Sequence, residues 1–387
     1  MTAITHLVVE EGSLNVKITG AVLEEIGRPR PYAKSEPITV GTLDLTEPKA
    51  TELTVRIEAA GVCHSDLSVV NGDRVRPVPM LLGHEAAGIV EQVGSEVSEV
   101  HIGQRVVMTF LPRCGECKNC ATDGRLPCTE GSRANEEGRL LHGSRHLTRE
   151  GEAIQHHLGV SGFATHAVVD QASVVPVGDD VPPEVAAVLG CAVLTGGGAF
   201  LNAIDPAPTE SVMIIGLGGV GMAALITALA SDCDEVIAVD TSQDKLDFAL
   251  SLGADRAYTS AEVEAQRITA DHVLECAGHP RAFETAFMAT NPGGRTVTAG
   301  LPSPQARSEI APLTMTSEAR TVMGSYLGSS VPSRDIPRYE QLWRDGKLPV
   351  EQLITSHIGL ESINEAMDEL ADGKAIRQVI LFDTQEN

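Results

Sequence analysis

Residues 211–230, SVMIIGLGGVGMAALITALA, constrain the fold more than any other stretch. An apolar strand pattern runs into Gly216-Leu217-Gly218-Gly219-Val220-Gly221, and a helical pattern follows at once. A strand that turns through spaced glycines into a helix brings backbone amides and a helix N-terminus to one point. A pyrophosphate can approach closely there. The next strand, DEVIAVD, ends in Asp240, nineteen residues after Gly221. A carboxylate at that place can hydrogen-bond the adenine-ribose hydroxyls of NAD. Thr241 and Ser242 follow, and neither is basic. A 2′-phosphate would face a carboxylate with no neighbouring arginine, so NAD is expected over NADP. Flavin is the other ligand of such a turn, but nothing else in the chain supports it.

The downstream texture keeps this pattern. SQDKLDFALSLG reads as an amphipathic helix, with Leu246, Ala249, Leu250 and Leu252 roughly on one side. DHVLECAG, RTVTAG and RTVMGSY read as further short strands. Strands alternating with helices predict a parallel sheet with crossover helices. Residues 1–110 differ: ITGAVLEEIG, ELTVRIEAAGV, AAGIVEQVG and GQRVVMTF are short β-like runs, which predicts an all-β body. Residues 111–160 lack periodicity and read as loops; FATHAVVD and SVVPV resume strand texture. The tail adds two helical segments, PRYEQLWRDG and ESINEAMDELADG, and a last strand, RQVILF.

The formal charge of −24 disfavours nucleic acid and acidic membrane surfaces as partners. The start, MTAITHLVVEEGSL, has no basic segment followed by an apolar one, so no export signal is expected and the cytoplasm is the expected compartment. The apolar run at 185–204 holds several glycines and lacks basic or aromatic anchors, so it reads as buried, not as a membrane span.

Four of the eight cysteines, Cys114, Cys117, Cys120 and Cys128, fall within fifteen residues. Four thiolates at such spacing can close around one tetrahedral Zn²⁺, which makes a structural site. An iron–sulfur cluster is the rival, but its motif places the last cysteine four residues on and follows it with proline. Here the gap is eight and Thr129 follows. Cys233 and Cys276 read as buried inert thiols, one after a helix and one in a strand.

GVCHSD (61–66) ends a strand pattern, and His84-Glu85 begins twenty-one residues after Cys63. With Cys191, these residues suggest a Cys₂His zinc site with one open position. Asp66 suits the second ring nitrogen of His84.

GVCHSD, GHEAAGIVEQVG, the four-cysteine lobe, GCAVLTGGGA and GLGGVG stand in an order and spacing that resemble the zinc-dependent medium-chain alcohol dehydrogenases, nearly end to end. The resemblance implies a GroES-like β catalytic domain, residues 1–192 and 327–387, interrupted by a doubly wound Rossmann domain, residues 193–326. It implies two Zn²⁺ per chain: Cys63, His84 and Cys191 on the catalytic one with Glu85 behind it, and the four clustered cysteines on the other. Ser65 would hydrogen-bond the substrate hydroxyl and take its proton. His64, Thr195, Lys245 and Arg377 would join Gly216, Gly218, Gly219, Val220, Gly221 and Asp240 around the cofactor. Phe110, His157 and Leu158 would wall the substrate pocket. The long segment from Cys128 to Phe163 is similar to that of dimeric members, which implies a homodimer, with a tetramer as the alternative.

Three departures stand out. The family's relay histidine, five residues after the first zinc cysteine, is replaced by Ser68. His157 replaces an aromatic or aliphatic wall residue and reads as a histidine tolerated at the pocket rim, or as a partner for a polar substrate. Arg74 and Arg76 read as a solvated pair, or as a hold for an anionic substrate group. The expected activity is NAD-linked, reversible oxidation of primary or secondary alcohols, benzylic or medium-chain ones among them, to aldehydes or ketones. The alternatives are an S-(hydroxymethyl)thiol formaldehyde dehydrogenase of the glutathione type, and a non-catalytic member that binds NAD and zinc.

Overall fold

A computed structural model describes residues 15–382. The N-terminal stretch read for an export signal lies outside them. Six strands form one parallel sheet in the order Arg256–Tyr258, Glu235–Val239, Ser211–Ile215, Ala270–Glu275, Thr290–Thr298, Thr321–Gly324. This is the strand order of a doubly wound nucleotide-binding sheet, which reverses direction beside its first strand. The glycine turn sits at that reversal, between Ser211–Ile215 and the helix Gly219–Leu229. Leu246 and Ala249 form the buried face of the helix Gln243–Leu252, but Leu250 is 46% exposed. One residue of helix turns the chain by about 100°, so Leu250 swings off the stripe that Ala249 holds.

The β body has two parts. Val16–Leu23, Ile38–Leu45, Leu147–Arg149, Glu152–His156 and Met80–Leu81 close into a barrel. A second sheet is built on Glu52–Val62, which pairs with Ala86–Val93, His166–Asp170 and the last strand, Gln378–Leu381. The expectation of loops over 111–160 is corrected here. Thr129–Glu136 is a helix, and Leu147–His156 is a hairpin that completes the barrel. Its strands are too short to show a period of their own; pairing with Ile38–Leu45 and Met80–Leu81 stabilises them.

The apolar run at 185–204 lies in one helix, Pro183–Ile204. It is long and apolar enough to cross a membrane, yet 89% of its apolar window is buried inside the protein. It passes unbroken through residue 192 and packs in one core with Val107, Val212 and Ala223. Two stretches of it, Leu189–Val193 and Ala199–Ile204, are π-helical. A π turn re-aims side chains within a helix and is frequent at functional sites; Cys191 sits in the first one.

A buried polar cluster fastens the hairpin to the start of Glu52–Val62. Glu52 Oε2 lies 2.7 Å from His146 Nε2, and Ser144 donates to Oε1. The His146 amide donates to His156 Nε2 at 3.2 Å. Burial alone would raise the Glu52 carboxyl, but bonds from His146, Ser144 and the Lys49 amide hold it down at about 2, against 4.5 for an ordinary glutamate. Burial, with the field of His146, pushes the His156 imidazole down to about 3 from 6.5. In both cases the unfolded chain binds the proton more readily, so acidification favours unfolding. Stability is expected to fall first between pH 6.5 and 3 through His156, and again from about 4.5 to 2 through Glu52. Melting temperature followed against pH checks this. Glu52→Gln should flatten the lower part of the curve and His156→Asn the upper; slopes unchanged in both variants would contradict the assignment.

Candidate active site

Cys63 caps the helix His64–Val70, where the strand Glu52–Val62 ends. Asp66 closes the cap: its Oδ2 accepts the Cys63 amide at 3.1 Å. Its Oδ1 accepts the Gly83 amide at 3.2 Å and lies 3.1 Å from His84 Nδ1 and 3.2 Å from His157 Nδ1. All three side chains are fully buried. Burial opposes ionisation of Asp66, but the two imidazoles hold its carboxyl at about 2. With Nδ1–H of His84 donated to Asp66, the ring presents its Nε2 lone pair to Cys191, whose Sγ is 3.4 Å away. His157 is therefore not an exposed rim residue: it is fully buried, edge-on to His84 at 5.6 Å.

Cys63, His84, Glu85 and Cys191 are all buried and offer ligand atoms within 4.8 Å of one another. A tetrahedral zinc with one sulfur and one nitrogen ligand separates them by roughly 3.6 Å, close to the His84–Cys191 spacing. Both Glu85 carboxylate oxygens are buried without a hydrogen bond; Oε2 lies 3.4 Å from Arg377 Nη1. A buried acceptor of this kind needs a cation or a donor. The donor set thus fits a divalent metal. Gly61 makes room for the Glu85 carboxylate: a Cβ there would stand 2.3 Å from Oε1.

The second donor set is equally compact. Cys114 and Cys120 sulfurs are 3.9 Å apart, and those of Cys117 and Cys128 are 4.0 Å apart. A disulfide needs about 2.05 Å, whereas the edge of a ZnS₄ tetrahedron is about 3.8 Å. The geometry fits zinc. Cys128 also caps the helix Thr129–Glu136, its sulfur accepting the Gly131 amide at 3.3 Å.

One cleft of about 340 Å³ joins the Cys63 site to the glycine turn. His64, Ser65, Ser68, Thr195, Lys245 and Arg377 line it, with Gly216, Gly218, Gly219, Val220 and Asp240. A Cβ at Gly218 would meet nothing within 4 Å, so the turn is open to a ligand; one at Gly221 would strike Gly216 O at 1.8 Å. Asp240 takes the Leu217 amide at 2.6 Å and the Ser242 amide at 2.9 Å, which fixes the turn against the second strand. Arg377 is buried, bonds Val62 O at 3.0 Å, and reaches Gly219. Ser68 Oγ donates to His64 O at 2.7 Å, so its hydroxyl is engaged by its own helix. Cys276 lies just past the strand Ala270–Glu275, not within it, and lines the cleft.

Phe110, His157 and Leu158 line one recess beside Ser65. Arg74 and Arg76 also line it, half-buried, and so are not a solvated surface pair. Tyr326 was missed. It stands edge-on to Phe110 at 5.9 Å. A signal existed: an aromatic just past a parallel strand falls at the carboxyl edge, where such sheets bind ligands. Asn135 was also missed. From the lobe helix its Nδ2 reaches Phe110 O at 2.7 Å, while Phe110 packs edge-on to His84 at 5.7 Å. Asn135→Ala leaves that carbonyl buried and unpaired and is expected to cost about 1–3 kcal/mol. The melting temperature should fall by several degrees; an unchanged melting curve would show that the bond carries no weight.

The six-stranded doubly wound sheet, the GroES-like β body and the two sulfur-rich donor sets define a zinc-binding, nucleotide-binding dehydrogenase fold. Residues 49–179 match the alcohol dehydrogenase GroES-like domain, and residues 219–344 match the zinc-binding dehydrogenase domain. The chain is 35% identical over 377 residues to a geraniol dehydrogenase of Castellaniella defragrans, covering 95% of this chain and 98% of that one. It is 34% identical over 376 residues to an NDMA-dependent alcohol dehydrogenase of Amycolatopsis methanolica, covering 95% and 99%. A benzyl alcohol dehydrogenase structure from Acinetobacter calcoaceticus superposes with a TM-score of 0.86 at 29% identity, covering 95% and 100%. The chain belongs to the zinc-dependent medium-chain alcohol dehydrogenase family.

Proposed function

We propose that the protein is an NAD-linked zinc alcohol dehydrogenase that interconverts primary or secondary alcohols, benzylic or medium-chain ones among them, with aldehydes or ketones. The observation that carries this is the single cleft in which Cys63, Cys191 and Ser65 share walls with the glycine turn and Asp240. Cys63, His84 and Cys191 would hold one zinc, with Glu85 behind it, and Cys114, Cys117, Cys120 and Cys128 a second. Zinc bound at the first site supplies Lewis-acid polarisation of an alcohol oxygen and lowers its pKa; NAD supplies the hydride acceptor.

The protein's own part is orientation and proton handling. Asp66 fixes the His84 ring so that Nε2 faces the donor set. Ser65 lies where it can accept the hydroxyl proton of an alcohol in the recess. Phe110, Leu158 and Tyr326 exclude water and place the substrate carbon beside the cofactor, and such placement supplies much of the rate. Asp240 on the cleft wall, followed in sequence by Thr241 and Ser242 and not by an arginine, supports NAD over NADP. Domain boundaries near 192 and 327, a homodimer and a cytoplasmic setting belong to the same reading.

Ser68 leaves the proton path from Ser65 without a terminal base. Ser68→His is therefore expected to raise the rate several-fold near pH 6 where hydride transfer limits. An unchanged pH profile would count against a relay deficit.

The test is an NADH-absorbance screen over alcohols and aldehydes, with NADP in parallel. Formaldehyde is assayed with and without glutathione, which separates the thiol-adduct reaction. One relative is NDMA-dependent, so a further arm adds NDMA; turnover that requires it would contradict NAD as the exchanging acceptor. A chain holding two zincs yet silent in every arm would point to the non-catalytic alternative.

A further inference from the structure

Acidic residues outnumber lysine plus arginine 53 to 29. Carboxylates accordingly hold many of the guanidinium groups, as at Arg30, Arg149, Arg256 and Arg344. Arg74 and Arg76 differ. Among the described residues no carboxylate lies within 4.0 Å of either one. Arg74 makes no side-chain hydrogen bond there, and the one bond of Arg76 is to Val75 O at 3.3 Å. The nearest acid in sequence, Asp73, is taken by Asn71 Nδ2 at 2.8 Å. Both arginines are half-buried and line the recess that holds Ser65. Burial raises the Tyr326 hydroxyl in the same recess, and the fields of both arginines act against it.

Two like charges in a partly dry recess repel one another and lose hydration without compensation. A planar carboxylate cures both faults, because the guanidinium fork matches it with paired hydrogen bonds. In a chain of net charge −24, this local positive field also draws an anion that the remaining surface repels.

We propose that Arg74 and Arg76 form an anion subsite at the outer part of the substrate recess, and that the alcohol carries a carboxylate remote from its hydroxyl. This rests on the dehydrogenase reading above and adds the substrate class to it. A hydroxymethyl-benzoate is the simplest molecule of that kind.

The test compares kcat/KM for 4-(hydroxymethyl)benzoate and benzyl alcohol in the zinc-loaded protein. The wild type is expected to prefer the charged alcohol by roughly tenfold or more, mainly through KM, as a charge-assisted hydrogen bond implies. Arg74→Gln with Arg76→Gln should abolish the preference, while Arg74→Lys should retain part of it. Benzoate should inhibit competitively and more strongly than inorganic phosphate, which pairs with a guanidinium but has no ring to fill the space beside Phe110 and Leu158. The subsite is overturned by a wild type that prefers benzyl alcohol, or by a preference that survives the double substitution. A rise confined to KM for NAD would overturn it too, because the arginines would then be cofactor contacts. Equal inhibition by phosphate would overturn the carboxylate assignment. No turnover of either alcohol would overturn this inference; the dehydrogenase reading falls only if the wider screen of alcohols and aldehydes is silent too.

Discussion

Cys191→Ala is expected to lower kcat/KM for benzyl alcohol by roughly 10³-fold or more. Lewis-acid polarisation is worth several kcal/mol of transition-state stabilisation, and each 1.36 kcal/mol is about tenfold. The substitution takes one sulfur from a set of four donors lying within 4.8 Å. It leaves the glycine turn and Asp240 in place, so NAD should still bind near its wild-type affinity. Zinc content should fall by one per chain. The readouts are metal analysis, NAD titration and steady-state kinetics. A variant that keeps its rate after losing that zinc would remove the metal from the reaction.

Cys128→Ala is expected to have the largest effect on stability. Cys128 is buried, lies 4.0 Å from Cys117 and caps the helix Thr129–Glu136. Structural zinc contributes folding free energy directly, about 10–16 kcal/mol in isolated zinc peptides. Within a larger fold the loss should exceed about 4 kcal/mol. The lobe also leans on the rest of the chain: Asp123 pairs with Arg334 at 2.8 Å, and a Cβ at Gly124 would strike Ser329 O at 2.4 Å. Melting temperature should drop sharply, and proteolysis should cut first between residues 113 and 128. A stable, protease-resistant variant that holds one zinc per chain would show that the lobe folds without its metal.

The sequence made some of this architecture legible and hid the rest for identifiable reasons. Five strands of the parallel sheet were readable because each carries a short apolar run and the glycine turn marks the first crossover; the edge strand Arg256–Tyr258, RAY, has no such run and was not. The compact donor sets were readable because cysteine and histidine spacings survive folding. The helix Thr129–Glu136 and the hairpin Leu147–His156 were not, since partners distant in sequence hold them. The burial of His157 was hidden for a similar reason. It follows from Asp66, ninety-one residues earlier, which sits 3.2 Å from its Nδ1. Tyr326 was legible only from its place just past the strand Thr321–Gly324, at the carboxyl edge of the sheet; Asn135 reaches Phe110 O through tertiary packing alone, and no local pattern announces that. Leu250 shows the converse limit: a stripe drawn from spacing alone was one residue too wide.

The most direct measurement is a zinc titration of metal-depleted protein with NAD and benzyl alcohol present, following NADH formation. The account predicts no turnover without metal and full turnover at two zincs per chain. It also predicts that Cys191→Ala stays silent at any zinc concentration. Full activity in the metal-free chain, or silence at two bound zincs toward every alcohol tried, would contradict it.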